Sequence, residues 1–346
     1  MKKGYFFSLF VVTALSIMIM TYKTSTDFKE QKTAEIYKNR VGQTNLFVSD
    51  LEEDVSRALY ISAYRALLGI DEYIHMNQTY VQGNPRDRII ELIINGTYNG
   101  VVMNATNAST FGDWIKTMQN LANQYHLRIS YPDMRVQTRM ITPFEVQITF
   151  LSNASFESLN DDISWNFSIS KEAIIDLGEA GFSDPLYFIE GLNNYEKNAE
   201  TNGSRPLTNS IKRSPYGLNT LWINKSSSGI IAYDVSNLTD HVHLQYYFHS
   251  NTSPSYFMRL AGKTDCEDPL YKTECRLYGI ESFVNVLNSS SVWLYSADGV
   301  KTCAIDYQFL VSGCNDPMRV IGMNDRFVID SDDAIFYNLT GLNQTS

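Results

Sequence analysis

Clustered positive charge is what this sequence most lacks. Its 346 residues hold 28 Lys and Arg against 38 Asp and Glu, for a net charge of −10 and a pI near 5.0. Binding a phosphate backbone needs grouped cations, so nucleic acid is not an expected partner. Catalytic signatures are missing as well. There is no G-x-S-x-G, H-E-x-x-H, G-x-x-x-x-G-K or G-x-G-x-x-G, and the chain is expected to be neither an enzyme nor a cofactor carrier. Cysteine is absent before Cys266. The four present, Cys266, Cys275, Cys303 and Cys314, lack the C-x2-C spacing of a zinc site. In an oxidising exterior two disulfides are the default, each worth about 2–4 kcal/mol. Local pairing, Cys266 with Cys275 and Cys303 with Cys314, is the expected one of three connectivities.

Charge is also absent from the run "YFFSLFVVTALSIMIMTY", Tyr5 to Tyr22. As a helix these residues extend about 27 Å, enough to cross a bilayer. A cleaved secretory signal is the competing reading, but its apolar region spans about 7–15 residues and ends in a small-x-small site. Here the run ends in "MIMTYKT", so a retained anchor in contact with membrane lipid is expected. Lys2 and Lys3 before it, and Lys23, Lys29 and Lys32 after it, give almost no positive-inside bias.

What the sequence does have is Asn-x-Ser/Thr. Acceptors occur at Asn77, Asn95, Asn104, Asn107, Asn153, Asn166, Asn202, Asn224, Asn237, Asn251, Asn288, Asn338 and Asn343, where chance would give about five at this Asn and Ser/Thr content. Each alone also reads as turn chemistry. Together they place everything after the first 76 residues on the glycosylating, extracellular side of a cell membrane, with the N terminus inside. The tandem "NATNAST", Asn104 and Asn107, is expected on an exposed loop where sugar shields the surface.

With 44% apolar residues the chain can bury at least one full core. The expected architecture is α+β: a leader at 1–4, a transmembrane helix at 5–22, a stalk helix at 23–76, an α-rich segment at 77–130 and a mostly antiparallel, sandwich-like β domain at 131–346. The bridge "KTSTDFKEQKT" contains neither Pro nor Gly, so the membrane helix runs into the stalk with Gly42 as the weak point. In the stalk, Phe47, Val48, Leu51, Val55, Ala58, Leu59, Ser62 and Ala63 recur at three- and four-residue steps. "RDRIIELIINGTYNG" reads as a helix broken by Gly96 and Gly100. "STFGDWIKTMQNLANQYHL" reads as a helix capped by Ser109 or Thr110, with Trp114, Ile115, Met118, Leu121 and Leu127 on one stripe. After Arg128 the period becomes two. "RISY", "FEVQITFL", "ISWNFSIS", "GIIAYDV", "HVHLQYYFH", "SVWLY", "AIDYQFLV" and "RFVIDSDDAIFYNL" read as strands, "SNASFESLNDD" as a connection, "GIESFVNVL" as a helix, and 193–218 as a long polar loop.

Two places invite a metal. His241 and His243 in "DHVHLQYYFH" would share one face of a strand, but Val242, Leu244, Tyr246 and Phe248 form its apolar face, which reads as a half-buried strand. Asp330, Asp332 and Asp333 surround a turn, without the D-x-D-x-D-G of a calcium loop; Asp161 and Asp162 offer less. No metal site is expected.

The opening "KKGYFFSLFVVTALSIMIM", a basic residue, a Gly and an apolar helix, resembles the class III signal of archaeal type IV pilins and related surface proteins. The resemblance implies prepilin-type processing between Gly4 and Tyr5, with Lys3 and Gly4 in the recognition site and mature chains that begin at Tyr5. It covers about the first 70 residues and implies a long helix, a β-rich head and pilin-like or other surface subunits as partners. Leu9 stands where pilins carry the Glu that pairs with a neighbour's new amino terminus. "DVSRALYISAYRALL", "GFSDPLYFIEGL" and "MRLAGKTDCEDPLY" look like parts of large archaeal membrane-anchored surface proteins. The function expected is structural or adhesive; the alternatives are an anchored ligand-binding or sensor ectodomain, and then an anchored hydrolase.

Overall fold

Helix α1 runs without a break from Lys3 to Asn77. Gly42 costs such a helix only about 1 kcal/mol relative to Ala, and the bridge before it, "KTSTDFKEQKT", has neither Pro nor Gly to stop the hydrogen-bond ladder. The structure, a computed structural model, describes residues 3–159, 164–189, 210–215, 236–284, 303–310, 317–319, 327–331 and 343–344. The chain forms two units, Met1–Val55 and Ser56–Ser346. In the first, described side chains from Phe10 to position 43 are exposed. Among the described residues no helix is long and apolar enough to cross a membrane; side chains of the apolar run are described only from Phe10 onward.

In the second unit α1 buries Leu59, Ala63, Ala66, Ile70 and Ile74 on one stripe, as the three- and four-residue spacing dictates. Helix α2, Pro85–Asn95, starts where the Asn84 side chain accepts from the Arg86 N–H and stops at Gly96, which has φ 70°. A Cβ on Gly96 would lie 2.7 Å from Thr110 Cγ2, so both conformation and space demand glycine. "TYNGVV" then makes a tight hairpin, β1 (Thr97–Tyr98) against β2 (Val101–Val102), with Asn99 and Gly100 both at positive φ. Helix α3, Phe111–Gln124, is capped by Thr110, whose hydroxyl accepts from the Asp113 N–H. Within α3 the expected stripe is only half-buried; Phe111 and Ala122 are the residues the helix buries fully.

Four strands follow: β3 (Leu127–Ser130), β4 (Arg135–Thr142), β5 (Glu145–Ser158) and β6 (Ser164–Asp176). β5 pairs with β6 along its length, while β4 and β3 share its other edge, all antiparallel. β4 was not among the expected strands. "SNASFES", expected as a connection, continues β5 because Ser152, Ala154 and Phe156 keep the inward alternation of Val146, Ile148 and Phe150.

Beyond β6 the described elements are short: helices α4 (Leu177–Ala180) and α5 (Pro185–Ile189), strand β7 (Lys212–Arg213), helix α6 (Ser236–Leu244), strand β8 (Tyr246–His249), helices α7 (Tyr256–Leu260) and α8 (Lys272–Tyr278), strand β9 (Ile280–Glu281), helix α9 (Asp306–Leu310), and strands β10 (Met318–Arg319), β11 (Val328–Ile329) and β12 (Asn343–Gln344). β8 pairs with β7 in parallel and with β9 antiparallel; β10 pairs antiparallel with β11 and β12. The architecture is α+β with mainly antiparallel sheets, as expected, but the described part of this half is less β-rich than its periodicity suggested. "HVHLQYYFH" is no single strand: α6 ends at Leu244, Gln245 takes φ 53°, and only then does β8 begin. "AIDYQFLV" folds in part as α9, and the described part of "GIESFVNVL" is extended, with β9 and a bridge from Phe283 to Ile305. Within the expected loop at 193–218, residues 210–215 include β7, and the others lie outside the described residues, as do "GIIAYDV" and "SVWLY".

Candidate functional site

The densest polar chemistry in the described protein surrounds Arg259 on α7, whose side chain is fully buried. A guanidinium has five N–H donors in a fixed fork, and here every one is used. Nη1 donates to Asp184 Oδ2 at 2.6 Å and to Asp306 Oδ2 at 2.8 Å. Nη2 donates to Asp306 Oδ1 at 3.2 Å and to the Ile280 carbonyl, and Nε donates to the Pro254 carbonyl at 3.3 Å.

The carboxylates are equally committed. Asp184, just before α5, accepts from Tyr247 OH at 2.8 Å and from the Leu186 N–H at 3.0 Å. Asp306 opens α9 and accepts from the Tyr307 N–H at 2.7 Å and from the Ser282 N–H and hydroxyl. Tyr187 OH meets Ser282 Oγ at 2.7 Å. One side chain thus ties together the segments around α5, β8, α7, β9 and α9.

One guanidinium faces two carboxylates, so the centre carries surplus negative charge. Beside it Glu281, fully buried and bonded by the Ser253 hydroxyl, has its pKa pushed up to about 8 by burial. Burial also raises Asp306, against the pull of Arg259. On Arg259 itself burial acts downward, but the Asp184 and Asp306 charges outweigh it and hold the guanidinium protonated. On α1, Asp71 accepts from the Ser183 N–H at 3.0 Å and is raised to about 6, again by burial. Every donor of Arg259 and both carboxylates it faces are engaged, which makes the centre chemically a clamp; beside it Asp71 Oδ1 and Tyr256 OH are buried with no hydrogen-bond partner among the described residues.

A Ser-His pair, which no motif announced, lies nearby in the chain: Ser214 Oγ and His241 Nε2 are 2.7 Å apart. His241 is fully buried between Tyr246 and Phe248, and Ser214 is 9% exposed. The pair joins the end of β7 to α6. Its signal in sequence is nil, because the partners are 27 residues apart and no motif links them.

Of the positions weighed for a metal, three have described side chains. His241 sits inside this pair, while His243 is exposed. Asp330 accepts from Gln308 Nε2 at 2.7 Å; Asp332, Asp333, Asp161 and Asp162 lie outside the described residues. Among the described residues no group of three His, Cys, Asp or Glu side chains is placed to hold a metal ion.

The expected Cys266–Cys275 disulfide is formed, closing a loop of sequence separation 9. Cys303 is buried and is not a free thiol; Cys314 lies outside the described residues. Lys3, Gly4 and Tyr5 belong to the first turns of α1. Of the sugar acceptors, Asn77, Asn95, Asn104, Asn107, Asn153, Asn166 and Asn251 have described side chains, and all are exposed. Exposure permits modification without selecting for it, since Asn84, Asn99, Asn120 and Asn123, outside any sequon, are exposed too. Asn153 and Asn166 lie on one face of the β5–β6 pair, where Asn153 is opposite Ser168 and Asn166 opposite Ser155. Asn202, Asn224, Asn288 and Asn338 lie outside the described residues, as do the side chains of Asn237 and Asn343.

No protein-family model matches this chain, and neither a curated protein nor a solved structure does.

Proposed function

We propose that the protein is a single-pass, N-glycosylated cell-surface protein whose extracellular part does structural or adhesive work. The surplus of N-x-S/T acceptors carries this reading. Every acceptor with a described side chain is open to solvent, spread over the ends of α1 and α2, the 104–107 loop, the β5–β6 face and the loop after β8. The Cys266–Cys275 disulfide fits an oxidising exterior, and the clamped Arg259 centre fits a rigid scaffold better than a pocket that opens to substrate.

The anchor rests on the apolar run. Phe10, Val11, Val12, Leu15, Ile17, Met18, Ile19, Met20 and Tyr22 are all exposed on α1, and they cover every face of the helix. A helix apolar all round needs an apolar surrounding. Its few hydroxyls are satisfied within the helix: Thr13 Oγ1 donates to the Phe10 carbonyl, Ser16 Oγ to Val12 and Thr21 Oγ1 to Ile17, which is what lipid requires of them. The N-terminal resemblance to archaeal pilin-type surface proteins points the same way. Alkaline extraction of native membranes, combined with protease treatment of intact cells, tests the topology. The chain should stay in the pellet and its ectodomain should be cleaved from outside; release into the alkaline supernatant would reject the anchor.

The Ser214–His241 contact favours a second reading, an anchored hydrolase, because a hydroxyl 2.7 Å from an imidazole is the starting geometry of an activated nucleophile. A fluorophosphonate probe that labels Ser214 would support it; a chain that stays unlabelled would leave the pair a structural clasp.

A further inference from the structure

We infer that the fold edits the tandem acceptor pair: Asn107 carries sugar, and Asn104 stays bare as the tether of its loop to α1. The inference rests on the glycosylation reading above. Asn104 is held by Glu72 of α1. Its Nδ2 donates to Glu72 Oε1 at 2.8 Å, its backbone N–H lies 3.4 Å from the same oxygen, and the Ala105 N–H donates to Oε2 at 3.0 Å. The hydroxyl that completes this acceptor, Thr106, is 1% exposed and faces the carbonyls of Gly96 at 2.8 Å and Met103 at 2.9 Å. Residues Asn104–Thr106 also form a 3-10 turn, so the asparagine and its hydroxyl partner are wound rather than stretched.

Asn107 differs in its amide, its backbone and the exposure of its hydroxyl partner, although that partner, Ser109, also donates, to the Thr106 carbonyl at 3.2 Å. Asn107 is exposed, its side chain makes no hydrogen bond to any described residue, and its backbone has left the helical region, with φ −58° and ψ 127°. Ala108 after it takes φ 53°, and Ser109 is only half-buried. Transfer forms a bond from the Asn amide nitrogen to the anomeric carbon of a lipid-phosphate-linked oligosaccharide and breaks that carbon's bond to phosphate. The amide proton passes to a base of the transferase, and the lipid phosphate leaves. An amide nitrogen already donating to a carboxylate, beside a buried hydroxyl, cannot be presented for that step; the Asn107 amide can.

The test is site-resolved mass spectrometry of the full chain expressed in its native membrane, as wild type, N107Q and E72A. Wild type should show at least tenfold higher occupancy at Asn107 than at Asn104, N107Q should leave the tandem peptide unmodified, and E72A should raise Asn104 occupancy several-fold. Equal loading of both sites in wild type, transfer to Asn104 in N107Q, unchanged Asn104 occupancy in E72A, or a bare Asn107 beside a loaded Asn77 would each overturn the inference while leaving the glycosylation reading intact. A chain bare at every acceptor would sink both. Asn107 is a solvent-facing residue, so N107Q decides the matter even if E72A perturbs folding.

Discussion

The meander β3–β6 and the half that follows it secure their chain in opposite ways. The meander spreads its stability over many equivalent backbone bonds and an inward row of apolar residues, Val146, Ile148, Phe150 and Phe156 among them. The described elements of the later half have two to nine residues, too short to hold themselves, and are gathered on one buried guanidinium and on disulfides, Cys266–Cys275 among them. A distributed scaffold tolerates local damage, whereas a centralised one fails at its hub.

The comparison breaks most sharply at Arg259. Arg259→Ala strands two buried carboxylates and should cost about 3–5 kcal/mol, read as lost denaturant resistance. Ile148→Val in the meander should cost only about 1 kcal/mol. Next comes the disulfide: Cys266→Ser with Cys275→Ser removes a short covalent loop and should cost about 2–3 kcal/mol, with the loss concentrated in hydrogen-exchange protection around α8. Comparable loss of protection in β5 would refute the division between the two halves.

A pH titration sharpens the picture further. Glu281 binds its proton more tightly in the folded chain, at about 8, than a glutamate does in the unfolded chain, at about 4.5. Stability from this group is therefore fully present below about 4.5 and declines as pH rises toward about 8. Thermal melts should show a lower Tm at pH 8 than at pH 5.5, and Glu281→Gln should flatten that slope; an unchanged slope would mean Glu281 is not held protonated. The smallest effect is expected at the helix cap, where Thr110→Ala should cost about 1 kcal/mol in chemical denaturation.

Legibility in the sequence divides along the same line. Helix α2 is written locally, by Asn84, Pro85 and Gly96, and α3 by Thr110, so both could be read without tertiary information. The alternation of β5 and β6 was readable too, though β4 passed unnoticed and the continuation of β5 through Asn153 was mistaken for a turn. The hub was illegible because its bonds span 75, 47 and 21 residues, from Arg259 to Asp184, Asp306 and Ile280. Where such long-range pairing decides conformation, period-two patterns mislead. Asp306 becomes the first residue of a helix inside an apparently alternating "AIDYQFLV", and His241 is drawn into a helix that ends only at Leu244. The acceptor asparagines were readable as a motif, but the difference between Asn104 and Asn107 appears only once Glu72, 32 residues away, is brought beside the loop.

The most direct measurement is the intact mass of the natively purified protein, followed by peptide mapping. If the ectodomain faces a glycosylating exterior, the mass lies well above the 39.4 kDa of the bare chain, and hexose-bearing peptides cover exposed acceptors such as Asn77, Asn153 and Asn166. A mass at or below the bare-chain value, with reduced Cys266 and Cys275, would contradict the account.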